Sequence, residues 1–242
     1  MKHISANVTV KIAGQAFQIK VSVPDKKTKQ DVVLPLFREL TQKAEDLAIA
    51  KLADDGKKIS CHKGCGACCC QIVPVTPLEA RYLARLMESM PKARRQKYKI
   101  RFDDAYKKFQ QAGILDQLLN PENFSGDIIA FGIKYFQLGV PCPFLEHASC
   151  SIYTERPLRC REYLVTNAPE YCSNPSNETI DRVEYPVHMS KILTKVHKRW
   201  AKDKTQWVPL AVLPSWVQQH PQDTVLRNSK EWIDDALTAL SE

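Results

Sequence analysis

The chain has 242 residues, a formal charge of +8 and a pI near 9.0. That length suits one good-sized core or at most two small ones, and the ordinary apolar content removes any need for a disulfide scaffold. No apolar run approaches the ~20 residues that span a bilayer, and residues 1–25 lack the pattern of a secretory signal, so the expectation is a soluble, cytoplasmic protein with no membrane partner.

In chain order, residues 8–23 (VTVKIAGQAFQIKVSV) alternate apolar and polar on both sides of Gly14-Gln15, which predicts a hairpin turning near Gly14. Residues 31–53 read as a helix with Asp31 at the N-cap and Pro35 in the first turn. Thr76-Pro77-Leu78-Glu79 spells a capping box, opening a helix that carries Leu78, Tyr82 and Leu86 and stops before Pro91. Residues 92–119 read as helical, and residues 127–138 (DIIAFGIKYFQL) are apolar enough to be buried, as a strand or a short helix. Thr154 and Pro157 open a helix running through Leu164 and carrying Cys160. Residues 178–203 place Met189, Ile192, Leu193, Val196 and Trp200 on one helical face; Asp223–Leu240 forms a last helix with Trp232, Ala236 and Leu240 in register.

The expected fold class is mainly α (α+β): a single helical domain with a small N-terminal β-hairpin and a metal-stabilised cysteine-rich centre. It divides into a hairpin and helix (1–55), a cysteine-cluster domain (56–175) and a C-terminal helical extension (176–242), packed as one compact unit.

The chemistry lies in 61-CHKGCGACCC-70, five cysteines in ten residues, and in Cys142, Cys150, Cys160 and Cys172. In a reducing compartment clustered thiols point to metal or redox chemistry rather than disulfides, and the odd total of nine agrees. Gly64 and Gly66 let one loop wrap an ion and aim several sulfurs inward. Four thiolates satisfy zinc tetrahedrally or anchor an iron–sulfur cluster. The candidate metal ligands are Cys61, Cys65, Cys68, Cys69, Cys142, Cys150, Cys160 and Cys172, enough for two four-thiolate sites, or one site plus a reactive thiol pair. Neighbouring side chains diverge, so Cys70 reads as a core or spare thiol, while His62 and His147 read as exposed rather than ligating. Lys57, Lys58 and Lys63 flank the first block, and Arg156, Arg159 and Arg161 surround Cys160, placed to offset thiolate charge.

Cys61, Cys65 and Cys68 also spell the C-x3-C-x2-C triad of radical S-adenosylmethionine enzymes. Ala67 stands where those enzymes usually carry an aromatic residue, and helices rather than alternating strands and helices follow. The two blocks together match better. CHKGCGACC (61–69) and CPFLEHASCSIYTERPLRCREY (142–163) resemble the YkgJ-like cysteine-cluster family, described as zinc- or iron-chelating domains. Cys61, Cys65, Gly66, Cys68 and Cys69 fill the first part of its pattern. Cys142-Pro143-Phe144-Leu145, Cys150, Ile152, Tyr153, Arg156, Pro157, Cys160, Arg161 and Tyr163 fill the second, and Pro77-Leu78-Glu79-Ala80 suits the helix between them. Cys172 lies beyond the block.

The resemblance implies zinc or iron, the latter as an iron–sulfur cluster. Because the same cluster type occurs in flagellin lysine N-methylases, it also raises a cluster-dependent enzyme that modifies a protein or peptide with S-adenosylmethionine. The chain has no G-x-G-x-x-G loop, H-E-x-x-H or Ser-His-Asp arrangement. A third reading is a zinc-stabilised nucleic-acid-binding protein, because Lys92–Lys108 and Lys191–Lys204 are densely basic. The favoured reading of both stretches is a solvated helix face, with Tyr98, Phe102, Tyr106 and Phe109 turned to the core. His188 and His197, nine residues apart, fall on opposite helix faces and do not chelate together.

Overall fold

The computed structural model describes residues 2–173, 180–201, 205–220 and 225–241. The chain opens on two long antiparallel strands, β1 (His3–Ile12) and β2 (Gln15–Pro24), in register from His3 opposite Pro24 to Ile12 opposite Gln15. Ala13 and Gly14 join them with φ of 51° and 83°, the left-handed pair that a two-residue hairpin turn requires. The alternation now has a physical reason: Val10, Ile12, Ile19, Val21 and Val23 face inward and the polar residues between them face water.

The rest is mainly helical: 53% of the structure is helix, and no sheet closes among the described residues. The first helix, α1 (Leu34–Asp54), carries Pro35 in its first turn as expected. Asp31 does not cap it. That residue sits in a short 3-10 turn (Gln30–Val33) and pairs with Arg85 of α2 (Pro77–Ser89). The predicted capping box of α2 is present in full: Thr76 Oγ1 accepts from Glu79 N at 3.1 Å, and Glu79 Oε2 accepts from Thr76 N at 3.0 Å. The basic stretch forms α3 (Lys92–Gln111), then breaks at Gly113 (φ 68°) before α4 (Leu115–Leu119), so 92–119 is two helices. Tyr98, Phe102 and Phe109 are buried along α3 and Tyr106 is half-buried; Lys92, Arg94, Lys97, Lys99, Lys107 and Lys108 are exposed, whereas Arg101 is half-buried and donates to Pro143 O and Glu146.

Residues 127–138 form a helix, α5 (Ile128–Gln137), with Asp127 accepting from the N–H groups of Ile129 and Ala130. The expectation of burial holds for one face only. Phe131 and Tyr135 are buried, whereas Ile128, Ile129 and Ile133 are 53%, 52% and 41% exposed.

The helix predicted through Leu164 is a single turn, α6 (Leu158–Arg161), followed by α7 (Pro169–Ser173). Beyond Arg161 the backbone extends and binds a later segment: Val183 N donates to Leu164 O and Thr166 N to Asp181 O. That pairing takes the strand-like partner that a longer helix would forfeit. Similarly, the helix expected over 178–203 is α8 (Met189–Lys198); Ile180–His188 is extended up to it, and Pro186 excludes helix just before it. Residues 178, 179, 202 and 203 lie outside the described residues, as does Asp223. Two further helices are α9 (Leu213–Gln219) and α10 (Ser229–Ser241), the second with Trp232 and Ala236 buried as predicted and Leu240 half-buried.

Two core clusters flank the cysteine region. One packs the hairpin's inner face, α1, α8 and α10 together with Leu158 and Leu164, so it draws on residues from all three predicted segments. The other packs α2 and α3 against Phe144, Ile152 and Trp216. Short ladders tie distant parts: β3 (Lys27–Thr28) pairs with β8 (Arg227–Asn228), and β4 (Pro74–Val75) with β7 (Val208–Pro209). A third, β5 (Leu145–Glu146) with β6 (Ser149–Cys150), belongs to the cysteine region itself. No helix is long and apolar enough to cross a membrane among the described residues.

Candidate metal centre

The first cysteine block is a chain of tight turns. Cys65 N donates to His62 O, Cys69 N to Gly66 O and Gln71 N to Cys68 O, so the loop keeps reversing direction and its thiols converge instead of fanning along a strand. The second block arrives as the β5–β6 hairpin, whose turn is His147-Ala148 with φ of 49° and 58°. The two blocks touch through backbone: Cys142 N donates to Cys69 O at 2.7 Å. Gly66 is the other point of contact. A β-carbon there would lie 2.7 Å from Leu145 Cδ1 and 2.8 Å from Ala148 O, distances no side chain tolerates, so only glycine lets the loop and hairpin pack.

Cys160 is delivered by α6, and this one-turn helix is pinned at both ends by buried carboxylates. Glu79 Oε1 accepts from Leu158 N at 2.9 Å, while Glu162 accepts from Ser190 N at 2.9 Å and from Ser190 Oγ at 2.5 Å. Helix α2 therefore fixes where α6 begins, and α8 fixes where it stops. Tyr185 OH donates to Arg161 O at 2.9 Å and adds a third tether. Ser60, just before the first block, donates from its backbone to Val165 O and from Oγ to Thr166 O.

Electrostatic coupling shows who neighbours whom. The Cys68 thiol is coupled to thiols of both blocks. It raises the pKa of Cys61 and Cys172 and of Cys142 and Cys160, while a hydrogen bond with the Cys69 side chain, then burial, holds Cys68 itself well above the thiol range. Cys65 acts on Cys61 and Cys172; Cys150 acts on Cys142 and Cys160. Burial pushes Cys142 up to about 12 and Cys172 up to about 11, and lifts Cys61, Cys150 and Cys160 as well. All eight predicted cysteines thus meet in one region. Cys172 is buried and the other seven are half-buried. Cys70 is half-buried too, and faces Cys142 and Tyr135 from the outer side. His62 and His147 are exposed.

The compensating cation is a correction to the sequence reading. Lys57, Lys58 and Lys63 are exposed, and Arg159 lines a neighbouring groove. Arg156 acts instead: it lowers the pKa of Cys61, Cys68, Cys150 and Cys160, and Arg161 joins it at Cys150. Arg156 lies 4.4 Å over the Tyr153 ring, with its Nε buried and without a hydrogen-bond partner among the described residues. A buried guanidinium N–H without a partner, beside the Cys61, Cys68, Cys150 and Cys160 thiols, is costly unless negative charge develops there. Thiolates on a metal would supply that charge, so donor set and counter-ion both fit a thiophilic ion. As the side chains stand, no group of three or more Cys, His, Asp or Glu among the described residues is arranged as a ready cage.

Glu79 and Glu162 are supports that local sequence reading missed. The capping box identified Glu79, yet its second oxygen serves Leu158, 79 residues away, and no local pattern announces that.

A mainly helical protein with two thiol blocks folded onto one another around Cys68 is of the cysteine-cluster chelator class. The comparison with known families agrees: residues 60–181 match the family described as "CxxCxxCC: putative zinc- or iron-chelating domain", and the chain belongs to it. No curated protein and no solved structure matches the chain.

Proposed function

We propose that this protein binds zinc or iron through cysteine thiolates drawn from both blocks, with Cys61, Cys65, Cys68, Cys69, Cys142, Cys150, Cys160 and Cys172 as the ligand pool. The observation that carries the reading is the meeting of the two blocks: Cys142 N donates to Cys69 O at 2.7 Å, and Cys68 is coupled to thiols of both. Eight sulfurs, Cys68 and seven others, would serve two four-thiolate zinc sites or an iron–sulfur cluster. The metal would supply Lewis acidity in the first case and electron transfer in the second. The protein's part is to hold thiolates near Arg156 and Arg161, to keep the centre partly out of water, and to release protons as metal enters.

Because the ligands come from residues far apart in sequence, and the side chains are not preset as a cage, metal binding should be coupled to tightening of the fold. Anaerobic purification with metal analysis and absorption spectroscopy tests this. Stoichiometric zinc in a colourless protein selects zinc; a brown protein with iron and acid-labile sulfide selects the cluster; neither metal at stoichiometric level refutes the reading. Cys65→Ser and Cys160→Ser should each lower metal content and Tm together, while Cys70→Ser should leave both unchanged. Full metal in Cys160→Ser would refute sharing between the blocks.

A further inference from the structure

Helices α5 and α8 wall a groove of about 770 Å³ beside the cysteine centre, with Gln71 and Arg159 at the boundary between the two. One wall is apolar. Ile128, Ile129, Ile133 and Phe136 line it, opposite the face that carries buried Phe131 and Tyr135. The three isoleucines are among the most exposed large apolar side chains of the described residues, which surface chemistry alone does not favour. Gly132 sits among them and leaves room: a β-carbon there would meet nothing within 4 Å.

The other wall is cationic. Lys191, Lys195 and Lys198 recur at i, i+4 and i+7 on the exposed side of α8, and Arg159 and Arg182 extend the same wall. Arg182 stacks 5.3 Å over Tyr163. The three lysines and Arg159 have no ion-pair partner among the described residues. Glu79 is the acidic residue in the lining, and its oxygens are already committed to Thr76 and Leu158. Among the described residues the charge is therefore uncompensated from within.

We infer that this groove docks an acidic amphipathic peptide segment of a partner protein, its carboxylates toward α8 and its apolar side chains toward α5. The choice among anionic ligands follows from how the charge is distributed. Lys191 to Lys198 spans about 10 Å of helix axis, and Ile128 to Phe136 about 12 Å, at about 1.5 Å per residue. A fatty acid or phospholipid carries its charge at one end and could satisfy only one end of the lysine row. A bilayer is flat and does not enter a concave cleft. A helical peptide with carboxylates at i, i+4 and i+7 repeats the lysine spacing along one edge and offers an apolar stripe along the other.

The test displays random twelve-residue peptides to the full-length, metal-loaded protein and selects binders, with the best sequences then measured by fluorescence anisotropy. The expected outcome is enrichment of sequences with Glu or Asp at helical spacing opposite an apolar stripe. Their binding should weaken at least tenfold between about 50 and 200 mM salt. The K191E/K195E/K198E variant should weaken them at least tenfold, and Ile133→Asp, on the opposite wall, by a similar factor. All these positions are exposed and outside the thiol centre, so unchanged circular dichroism and metal content confirm intact variants. No enrichment, enrichment without acidic bias, or binding indifferent to both variants would overturn the inference. So would oleate or phosphatidylglycerol vesicles binding in an Ile133-dependent way where peptides do not.

Discussion

Raising the pH should destabilise the metal-free protein and spare the metal-loaded one, because the thiols titrate in opposite senses in the two forms. Without metal, burial holds Cys142 up to about 12, against about 8.5 for a cysteine in an unfolded chain. Between those values the unfolded state has released a proton that the folded state keeps, so unfolding becomes easier as pH rises. At pH 10 the difference amounts to about 1.4 kcal/mol per pH unit over about 1.5 units, or about 2 kcal/mol from Cys142 alone. For a chain of this size that lowers Tm by about 4–8 °C relative to pH 8. Cys61, Cys68, Cys70, Cys150, Cys160 and Cys172 are all shifted in the same direction and add to the loss. The buried tyrosines Tyr135 and Tyr185 are also held above their ordinary value, but they contribute only beyond about pH 10, where an unfolded tyrosine ionises.

With metal bound, the ligating thiolates titrate far below 8.5, the sign reverses, and stability is lost on acidification as protons compete for sulfur. The assay is differential scanning fluorimetry from pH 5 to 10 under anaerobic, reducing conditions, with chelator-stripped and reconstituted protein compared. A metal-free Tm that is flat or rising between pH 8 and 10 would refute the reasoning, as would parallel profiles for the two forms.

Three substitutions probe the supports of the centre. Arg156→Met keeps the stacking length over Tyr153 but removes the counter-charge; metal affinity measured by chelator competition should fall about 10- to 100-fold with little change in metal-free Tm. Gly66→Ala places a β-carbon 2.7 Å from Leu145 Cδ1 and 2.8 Å from Ala148 O, forcing the blocks apart. It should cost about 1–3 kcal/mol in thermal or denaturant melts and weaken metal binding, whereas Gly132→Ala, where space is open, should do neither. Glu79→Ala strands the buried N–H groups of Thr76 and Leu158 at about 2 kcal/mol each, about 4 kcal/mol in total, so Tm should drop by about 8–16 °C and metal content should fall with it.

Much of this fold was legible because its signals are local. The β1–β2 hairpin follows from strict alternation around a residue that accepts positive φ, and α2 from a four-residue capping box that the structure reproduces atom by atom. Where partners are remote the sequence was silent. Asp31 looked like an N-cap because Asp before an apolar run is one, but Arg85, 54 residues on, takes its carboxylate. The run after Cys160 looked helical, yet Leu164–Thr166 finds backbone partners at Asp181–Val183. Residues 127–138 looked buried because apolarity alone does not say how many faces are covered, and α5 covers one. The candidate thiols were nameable from spacing. Their convergence on Cys68, and the choice of Arg156 over Arg159 as counter-ion, depend on where α6 points, which Glu79 and Glu162 decide from other helices.

That division has a consequence for how the centre works. The Cys61–Cys70 loop is held by its own turns and by Gly66, whereas Cys160 sits on a one-turn helix that is too short to be stable by itself. Its position is set by carboxylates that belong to the scaffold on either side, Glu79 at the start of α2 and Glu162 reaching the start of α8. Any movement of α8 is thereby transmitted to α6 and to Cys160 through Ser190, since Glu162 binds both its N–H and its hydroxyl. The same α8 carries Lys191, Lys195 and Lys198 on its exposed side, one residue beyond that anchor. The thiol centre and the cationic groove therefore share α8, and a ligand on the lysines would bear on the helix whose Ser190 anchors Glu162 beside Cys160.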